Sequence, residues 1–206
     1  MYLTVDYFLA HGKLRNSIED MLLKQEKTNS KEILEVTSLF MTKGKEYRMA
    51  KKIIQKYKKS FEKIVIGKPL LCNNENREKL AKILFSEFNE LTKDGFLIFV
   101  GHGRKFTLNL KYLKFEKELQ KVFGTKKVKI ILLKGFSKRD FEQFKGETLH
   151  IVPLMINCGN HVKNDIFGKN GIVQVLEEKT QCKIEKHYTS LLALESFKKE
   201  FLYEKN

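Results

Sequence analysis

The chain has 206 residues, which is enough for one large domain or two small ones with a buried core. Its 40 Lys and Arg residues outnumber 25 acidic residues, and the formal charge of +15 favours a polyanionic partner such as nucleic acid, anionic lipid or a ligand with many carboxylates. Three widely spaced cysteines argue against a disulfide framework and a paired-cysteine zinc site, and no apolar run is long enough to span a membrane. The first residues lack the features of a secretory signal, so we expect a soluble, cytoplasmic protein.

Short apolar runs alternate with longer amphipathic segments rich in lysine and glutamate, a pattern typical of parallel strands joined by crossover helices. The sequence therefore predicts an α/β fold. In chain order, we predict a helix at 16–25, a strand at 32–41, a helix at 45–60, a strand at 63–71, a helix at 75–92, a strand at 95–103, a helix at 109–123, a strand at 127–135, a helix at 137–145, strands at 148–156 and 182–187, and a helix at 190–204.

The sequence contains a weak internal repeat. VTSLFMTKGKEY, starting at residue 36, resembles IVPLMINCGNHV, starting at residue 151, and KIVIGKPLL, starting at residue 63, more weakly resembles KIEKHYTSLL, starting at residue 183. The repeat predicts two related α/β lobes in which Glu46 and His161 follow equivalent strands, at the ends where open α/β sheets bind ligands. The alternative is that the match does not reflect a repeat, because any two buried strands followed by glycine have similar sequences.

Two histidines, His102 and His161, lie at the carboxyl ends of predicted strands. Imidazole binds borderline divalent metals and exchanges protons near pH 7, so the pair predicts a metal and proton-transfer site, with Glu46 on an equivalent loop. The alternative for each histidine is a hydrogen-bonded loop residue without a catalytic role. Phe106 stands where the dinucleotide fingerprint that GHG could begin needs its third glycine, so we expect no organic cofactor.

Four motifs occur along the chain: GKEY at 44–47, GKPLL at 67–71, VGHG at 100–103 and HIVPLMINCGNHVKNDIFG at 150–168. In sequence, order and spacing they resemble the anaerobic sirohydrochlorin cobaltochelatase family of class II chelatases. The resemblance implies two flavodoxin-like, chelatase-like lobes with parallel sheets and a tetrapyrrole cleft between them. The lobes would comprise residues 1–94 and 95–189, and a last helix within 190–206 would pack back on the first lobe.

The resemblance also implies an enzyme of anaerobic cobalamin biosynthesis. Its reaction would be insertion of Co(II), or of Fe(II) or Ni(II), into sirohydrochlorin or a related polycarboxylate tetrapyrrole, so the divalent metal would be a substrate. Carried over to this chain, the family pattern implies that His102 accepts protons and binds the metal, that His161 is a second metal ligand, and that Glu46 is a catalytic carboxylate. Neutral imidazole suits this chemistry because two pyrrole N–H protons must leave as the metal enters.

The carboxylates of such a substrate would pair with basic side chains. The candidate substrate-binding residues are Arg104, Lys43, Lys45 and Lys163. We expect Asn164 and Asp165 to hold their loop and to start the next helix rather than to touch metal.

Three departures from the family pattern favour an alternative function. The chain is expected to begin inside the first lobe, without the first strand of the family, and Phe40 and Lys134 replace a histidine and a metal-binding glutamate. A cation at the position of Lys134 would repel a divalent ion. The alternative is therefore a catalytically degenerate protein that binds a tetrapyrrole or haem, with Lys134 neutralising a propionate. A nucleic-acid partner is disfavoured because most of the 16 phenylalanines occupy apolar strand and helix positions.

Overall fold

The structure, a computed structural model, describes residues 2–3, 22–23, 33–103, 106–133, 144 and 146–203. The contacts between residues divide the chain into two compact units, Met1–Asn73 and Asn74–Asn206. Each unit contains a parallel sheet with helices on the connections between strands. The predicted α/β class with two parallel sheets is therefore confirmed.

The first unit is built on a three-stranded sheet in the order β1-β2-β3. Its elements are β1 (Tyr2–Leu3), β2 (Ile33–Val36), helix α1 (Lys45–Lys56) and β3 (Lys63–Ile66), followed by a 3₁₀ turn at Leu70–Cys72. The apolar residues of α1 recur at helical spacing, so one face of the helix is buried against the strands. Its core contains Leu22, Leu34, Val36, Ala50, Ile53 and Ile54.

The second unit is built on a four-stranded parallel sheet in the order β5-β4-β6-β7. Its elements are helix α2 (Asn74–Phe88), β4 (Phe96–Gly101), helix α3 (Phe106–Phe123), β5 (Val128–Leu132), β6 (Thr148–Pro153), a π-helical turn (His161–Ile166), helix α4 (Ile172–Thr180), β7 (Lys183–Lys186) and helix α5 (Glu195–Lys198), which continues as a π-helical turn (Lys199–Tyr203). The two central strands are almost wholly apolar, as expected where helices cover both faces of a sheet.

Helices cover the two faces of this sheet in different ways. On one face, residues of the π-helical turn and α4 pack on alternate residues of β4 and β6 to form a continuous core. On the other face, Phe88 of α2 meets Phe99 of β4 edge to face, with ring centroids 5.9 Å apart. A buried ion pair joins α2 to α3, since Arg77 Nε donates to Glu118 Oε2 at 2.7 Å. The sheet and the helices on its two faces therefore form three layers, which hold the carboxyl ends of the strands in fixed positions.

Helix α5 packs against α2. Ser196 Oγ donates to Glu87 Oε1 at 2.6 Å, and Lys79 Nζ lies 2.8 Å from Glu200 Oε1. The boundary between the units falls before α2 because this helix packs on α3 and β4. The predicted division into 1–94, 95–189 and 190–206, with a cleft between two lobes, stays a prediction.

The internal repeat is confirmed by equivalent backbone hydrogen bonds in the two units. In each unit, the first amide after the last strand donates a hydrogen bond to a carbonyl of the neighbouring strand. A 3₁₀ turn follows, at Leu70–Cys72 in the first unit and at Leu191–Ala193 in the second, and its first amide donates to the loop after that neighbouring strand. The equivalent pairs are Gly67 N to Val36 O with His187 N to Ile151 O, and Leu70 N to Phe40 O with Leu191 N to Met155 O. The strand pairing matches too, because Leu34 lies opposite Ile64 as Leu149 lies opposite Ile184.

The observed elements differ from the predicted ones in three ways. Several strands are shorter than their apolar runs; the run at 148–156, for example, is a strand only to Pro153. Helix α4 was missed, because its β-branched residues have low helix propensity and only packing against the sheet stabilises the helix. The predicted helix at 137–145 lies outside the described residues except for residue 144, and so does most of the one at 16–25. None of the helices within the described ranges is long and apolar enough to cross a membrane.

Candidate functional site

His102 directly follows β4, and two glycines flank it. A Cβ at Gly101 would lie 2.7 Å from the ring of Tyr112, so α3 can approach the end of the strand only because this residue is glycine. Gly103 has a φ of 61°, a left-handed conformation that favours glycine. The histidine itself is half-buried and its Nδ1 atom is shielded from solvent. The two glycines therefore shape the backbone on either side of the imidazole.

His161 is the first residue of the π-helical turn that follows β6. The carbonyl oxygen of Gly159 starts this turn by accepting hydrogen bonds from the amides of Val162 and Lys163, at 3.0 and 3.1 Å. Val162 and Ile166 are buried in the core and anchor the turn, whereas the side chain of His161 is 59% exposed. Single π-helical turns are frequent at functional sites. The turn therefore presents His161 to solvent from a rigid base.

The structure brings His102 and His161 together. Their ring centroids lie 4.5 Å apart with an interplanar angle of 55°. The two residues meet because β4 and β6 are adjacent parallel strands, with Val100 opposite Pro153, and therefore end at the same edge of the sheet. Two imidazoles in contact form a pair of nitrogen donors that suits cobalt, nickel, zinc or iron.

Asp165 contacts His161 within the π-helical turn. Asp165 Oδ2 lies 2.5 Å from His161 Nδ1. An ionised carboxylate can only accept a hydrogen bond, so Nδ1 carries the hydrogen and the Nε2 atom of neutral His161 keeps its lone pair for a metal. Asn164 and Asp165 were expected in a loop at the start of the next helix, but both lie inside the π-helical turn. That neither residue touches metal stays a prediction.

The other predicted site residues of the second unit have different outcomes. Lys163 is exposed on the same turn as His161. Burial raises the pKa of the nearby Cys158 thiol, and a hydrogen bond with Ser190 and the charge of Lys163 partly oppose this shift, so Cys158 is not activated as a thiolate ligand. Arg104 and Lys134 lie outside the described residues, and their roles stay predictions.

The predicted residues of the first unit lie where α1 begins. Glu46 is half-buried in the first turn of α1, and Lys43 and Lys45 beside it are exposed. Phe40, which was expected to replace a histidine of the family, packs edge to face on Tyr47 with ring centroids 5.9 Å apart. The association of Glu46 with the two histidines stays a prediction.

A second group of titratable residues was not predicted. His150 lies inside β6, and its two ring nitrogens contact His187, which follows β7, and Asp94, which precedes β4. The sequence signal was available, since a histidine in the middle of a buried apolar strand is unusual unless it is paired. The partners could not be identified because they are far from His150 in the sequence.

Known proteins resemble the chain in sequence and in fold. The family described as Cobalt chelatase (CbiK) matches residues 10–204. The curated sirohydrochlorin cobaltochelatase of Salmonella typhimurium (strain LT2) is 25% identical over 146 residues, which are 66% of this chain and 53% of that protein. The match therefore spans about half the length of the curated relative.

Two solved structures share the fold. SirB from Bacillus subtilis with Fe3+ superposes with a TM-score of 0.63 at 15% identity and covers 98% of this chain and 91% of its own. The sirohydrochlorin chelatase SirB from Bacillus subtilis subspecies spizizenii in complex with cobalt superposes with a TM-score of 0.58 at 14% identity, over 94% of this chain and 74% of the other. The fold is thus that of the chelatases, and the match over nearly the whole sequence shows that this chain belongs to the cobalt chelatase (CbiK) family.

Proposed function

We propose that this protein inserts a divalent metal, with Co(II) as the preferred ion, into a sirohydrochlorin-like tetrapyrrole that carries many carboxylates. The observation that carries the proposal is the contact between His102 and His161 at the carboxyl ends of adjacent strands, with ring centroids 4.5 Å apart. Membership of the cobalt chelatase family supports the reaction class, and the name of the curated relative supports the substrate. The two SirB structures, one with Fe3+ and one in complex with cobalt, support a site that accepts more than one metal.

The reaction exchanges one divalent ion for the two protons on the pyrrole nitrogens, without electron transfer. His161 is the exposed member of the pair and is suited to receive the ion through the nitrogen that Asp165 leaves unprotonated. His102 is half-buried beside it and would first bind the ion through the lone pair of its neutral imidazole. Once the ion has passed to the macrocycle, the same nitrogen is free to accept a pyrrole proton. We assign Glu46 the role of a second carboxylate base or cation relay, as the family pattern implies.

Basic side chains would recognise the carboxylates of the substrate. Lys163 is exposed two residues after His161, and Lys43 and Lys45 are exposed beside Glu46. Each ammonium can pair with a carboxylate at the rim of the macrocycle while the histidines act at its centre. Arg104, two residues after His102, completes the proposed set.

We infer that the reaction serves anaerobic cobalamin biosynthesis in the cytoplasm. All three cysteines are free thiols, which is expected in a reducing compartment. No organic cofactor is needed, because the ion keeps its oxidation state when it replaces the two protons.

The test is an absorbance time course of purified protein with sirohydrochlorin and Co(II) under anaerobic conditions. We expect the wild type to insert cobalt at least about 100-fold faster than the uncatalysed reaction, and the double variant His102→Ala/His161→Ala to approach the uncatalysed rate. Lys117→Ala, which removes an exposed cation from α3, is the matched control and should keep the wild-type rate. Tetrapyrrole binding without faster insertion by the wild type would overturn the proposal in favour of a binding protein.

A further inference from the structure

A second pair of histidines lies in the second unit, formed by other residues than the His102–His161 pair. His150 is inside β6, and its side chain is 6% exposed; His187 follows β7 and is half-buried. His150 Nδ1 and His187 Nε2 lie 3.2 Å apart. Because β7 is the last strand in the sheet order, this contact joins an edge strand to its neighbour.

The separation of the two nitrogens fits two ligands of one ion. Metal–imidazole bonds of about 2.0–2.1 Å at a tetrahedral angle place two ligand nitrogens about 3.4 Å apart. In the absence of metal, the same separation allows a direct hydrogen bond from His187 Nε2 to His150 Nδ1. The pair therefore needs little movement to bind a transition-metal ion.

Asp94 holds His150 in the tautomer that a metal needs. His150 Nε2 lies 2.9 Å from Asp94 Oδ1, so Nε2 donates its hydrogen to the carboxylate and Nδ1 keeps its lone pair on the side of His187. A carboxylate that orients a histidine in this way is the usual partner of a metal-binding imidazole.

Glu185 can supply a third ligand. It lies opposite His150 in the strand pairing and points to the same side of β7 as His187, two residues later. Its carboxylate is paired with Lys183 at 2.6 Å. Among the described residues no three such side chains are already arranged around one point, so Glu185 must turn away from Lys183 to complete the site.

We infer that His150 and His187 form a second site for a divalent transition-metal ion, with Glu185 as the third ligand and Asp94 as the residue that orients His150. The class of ion is the one that imidazole prefers, namely Zn(II), Co(II) or Ni(II). An ion bound there links β7 to β6 and stabilises the edge of the sheet. This inference does not depend on the proposed chelatase activity, because neither the tetrapyrrole nor the first histidine pair takes part.

The experiment isolates the second site in the His102→Ala/His161→Ala background, stripped of metal with a chelator. We expect this variant to bind one Co(II) per chain in a calorimetric titration, with a visible absorption band of cobalt with nitrogen ligands, and Zn(II) to displace the cobalt. Adding His187→Gln should weaken binding by more than about tenfold, and Asp94→Asn should weaken it by about 10- to 100-fold. The melting temperature without metal shows whether each variant folds.

Two lysines of β7 provide the sharpest control. Lys183→Ala removes the ion-pair partner of Glu185 and should tighten Co(II) binding. Lys186 pairs with Glu177 of α4 at 3.2 Å on the other face of the sheet. Lys186→Ala should therefore leave Co(II) binding unchanged. If the background variant binds no Co(II), or binds it equally well with and without His187→Gln, the inference is wrong.

Discussion

The two histidine pairs of the second unit differ in where they lie on the same sheet. His102 and His161 follow the carboxyl ends of β4 and β6, with ring centroids 4.5 Å apart, whereas His150 and His187 meet beside β6 and β7 with centroids 5.4 Å apart. One member of the first pair, His161, is largely exposed, and one member of the second, His150, is almost fully buried. An ion bound to the exposed His161 can pass to a substrate, whereas an ion bound to the almost fully buried His150 is suited to stay in the protein.

Each pair also has a carboxylate that orients one imidazole, and the two carboxylates come from different distances in the chain. Asp165 is four residues from His161 on one helical turn, while Asp94 reaches His150 from a separate loop, 56 residues away. The first arrangement is encoded in a short motif, and the second exists only because parallel strands place distant residues side by side. The following predictions test the functional difference between the pairs.

The largest effect is expected at the first pair. His102→Ala and His161→Ala should each lower the rate of cobalt insertion by at least about 100-fold, because proton removal and metal delivery belong to the chemical step. The affinity for the tetrapyrrole, measured by fluorescence quenching, should change by less than about threefold. If the insertion rates of both variants equal that of the wild type, the first pair has no part in the mechanism.

The carboxylate of the first pair should have the next largest effect. Asp165→Asn keeps the size of the side chain but can donate to Nδ1 of His161, which would favour the wrong tautomer. We expect Co(II) affinity at this site to fall by about 10- to 100-fold, measured calorimetrically in a His187→Gln background that silences the second pair. An unchanged affinity would mean that the contact with Asp165 is incidental.

Lys134 offers a change in the opposite direction. By the family resemblance it stands where a glutamate contributes to the metal site, so Lys134→Glu should add a ligand and tighten Co(II) binding at the first pair by about tenfold or more. The second pair should be unaffected, which the His102→Ala/His161→Ala background can show. Lys134→Gln is the matched control, because it removes the charge without adding a carboxylate.

A smaller effect concerns the pH dependence of stability at the second pair. The pKa of His187 is lowered in the folded protein, chiefly by burial and next by the charge of His150, with Glu185 partly opposing the shift. Below about pH 6.5, the pKa of unfolded His187, the unfolded protein binds more protons at this residue than the folded protein does. The free energy of unfolding therefore falls as the pH is lowered from that value through the pKa of folded His187. A single titrating group changes the free energy of unfolding by at most about 1.4 kcal/mol per pH unit.

Urea denaturation between pH 7.5 and 5, with a chelator present, measures this dependence. His187→Gln should flatten the decline in unfolding free energy towards low pH, whereas Lys186→Ala should leave the decline as it is in the wild type. An equally steep decline in His187→Gln would assign the acid sensitivity to other groups.

The smallest effect is expected from the basic side chain next to the first pair. Lys163→Ala should raise the KM for the tetrapyrrole about two- to threefold with little change in kcat, because an exposed ion pair contributes at most about 1 kcal/mol. The difference from the wild type should shrink at high salt. A fall in kcat at unchanged KM would instead place Lys163 in the chemical step.

The sequence by itself determined the α/β class, the internal repeat and the two histidines of the first pair. Each rests on local information: apolar runs predict strands, and a histidine that follows a strand of a parallel sheet must emerge at its carboxyl edge, where the neighbouring strand also ends. Helix α4 was missed because the β-branched residues Ile172, Val173 and Val175 favour strand locally, and burial against the sheet overrides that preference.

Only the tertiary structure decided which side chains accompany the histidines. Asp165 orients His161 because the segment after β6 closes as a π-helical turn, a form that has no clear sequence signature and that depends on the anchoring of Val162 and Ile166 in the core. Asp94, His150 and His187 meet because strand order and register place three distant segments within hydrogen-bonding distance. Local patterns cannot fix such contacts, because a shift of one residue in the pairing of a strand would turn its side chains to the other face of the sheet.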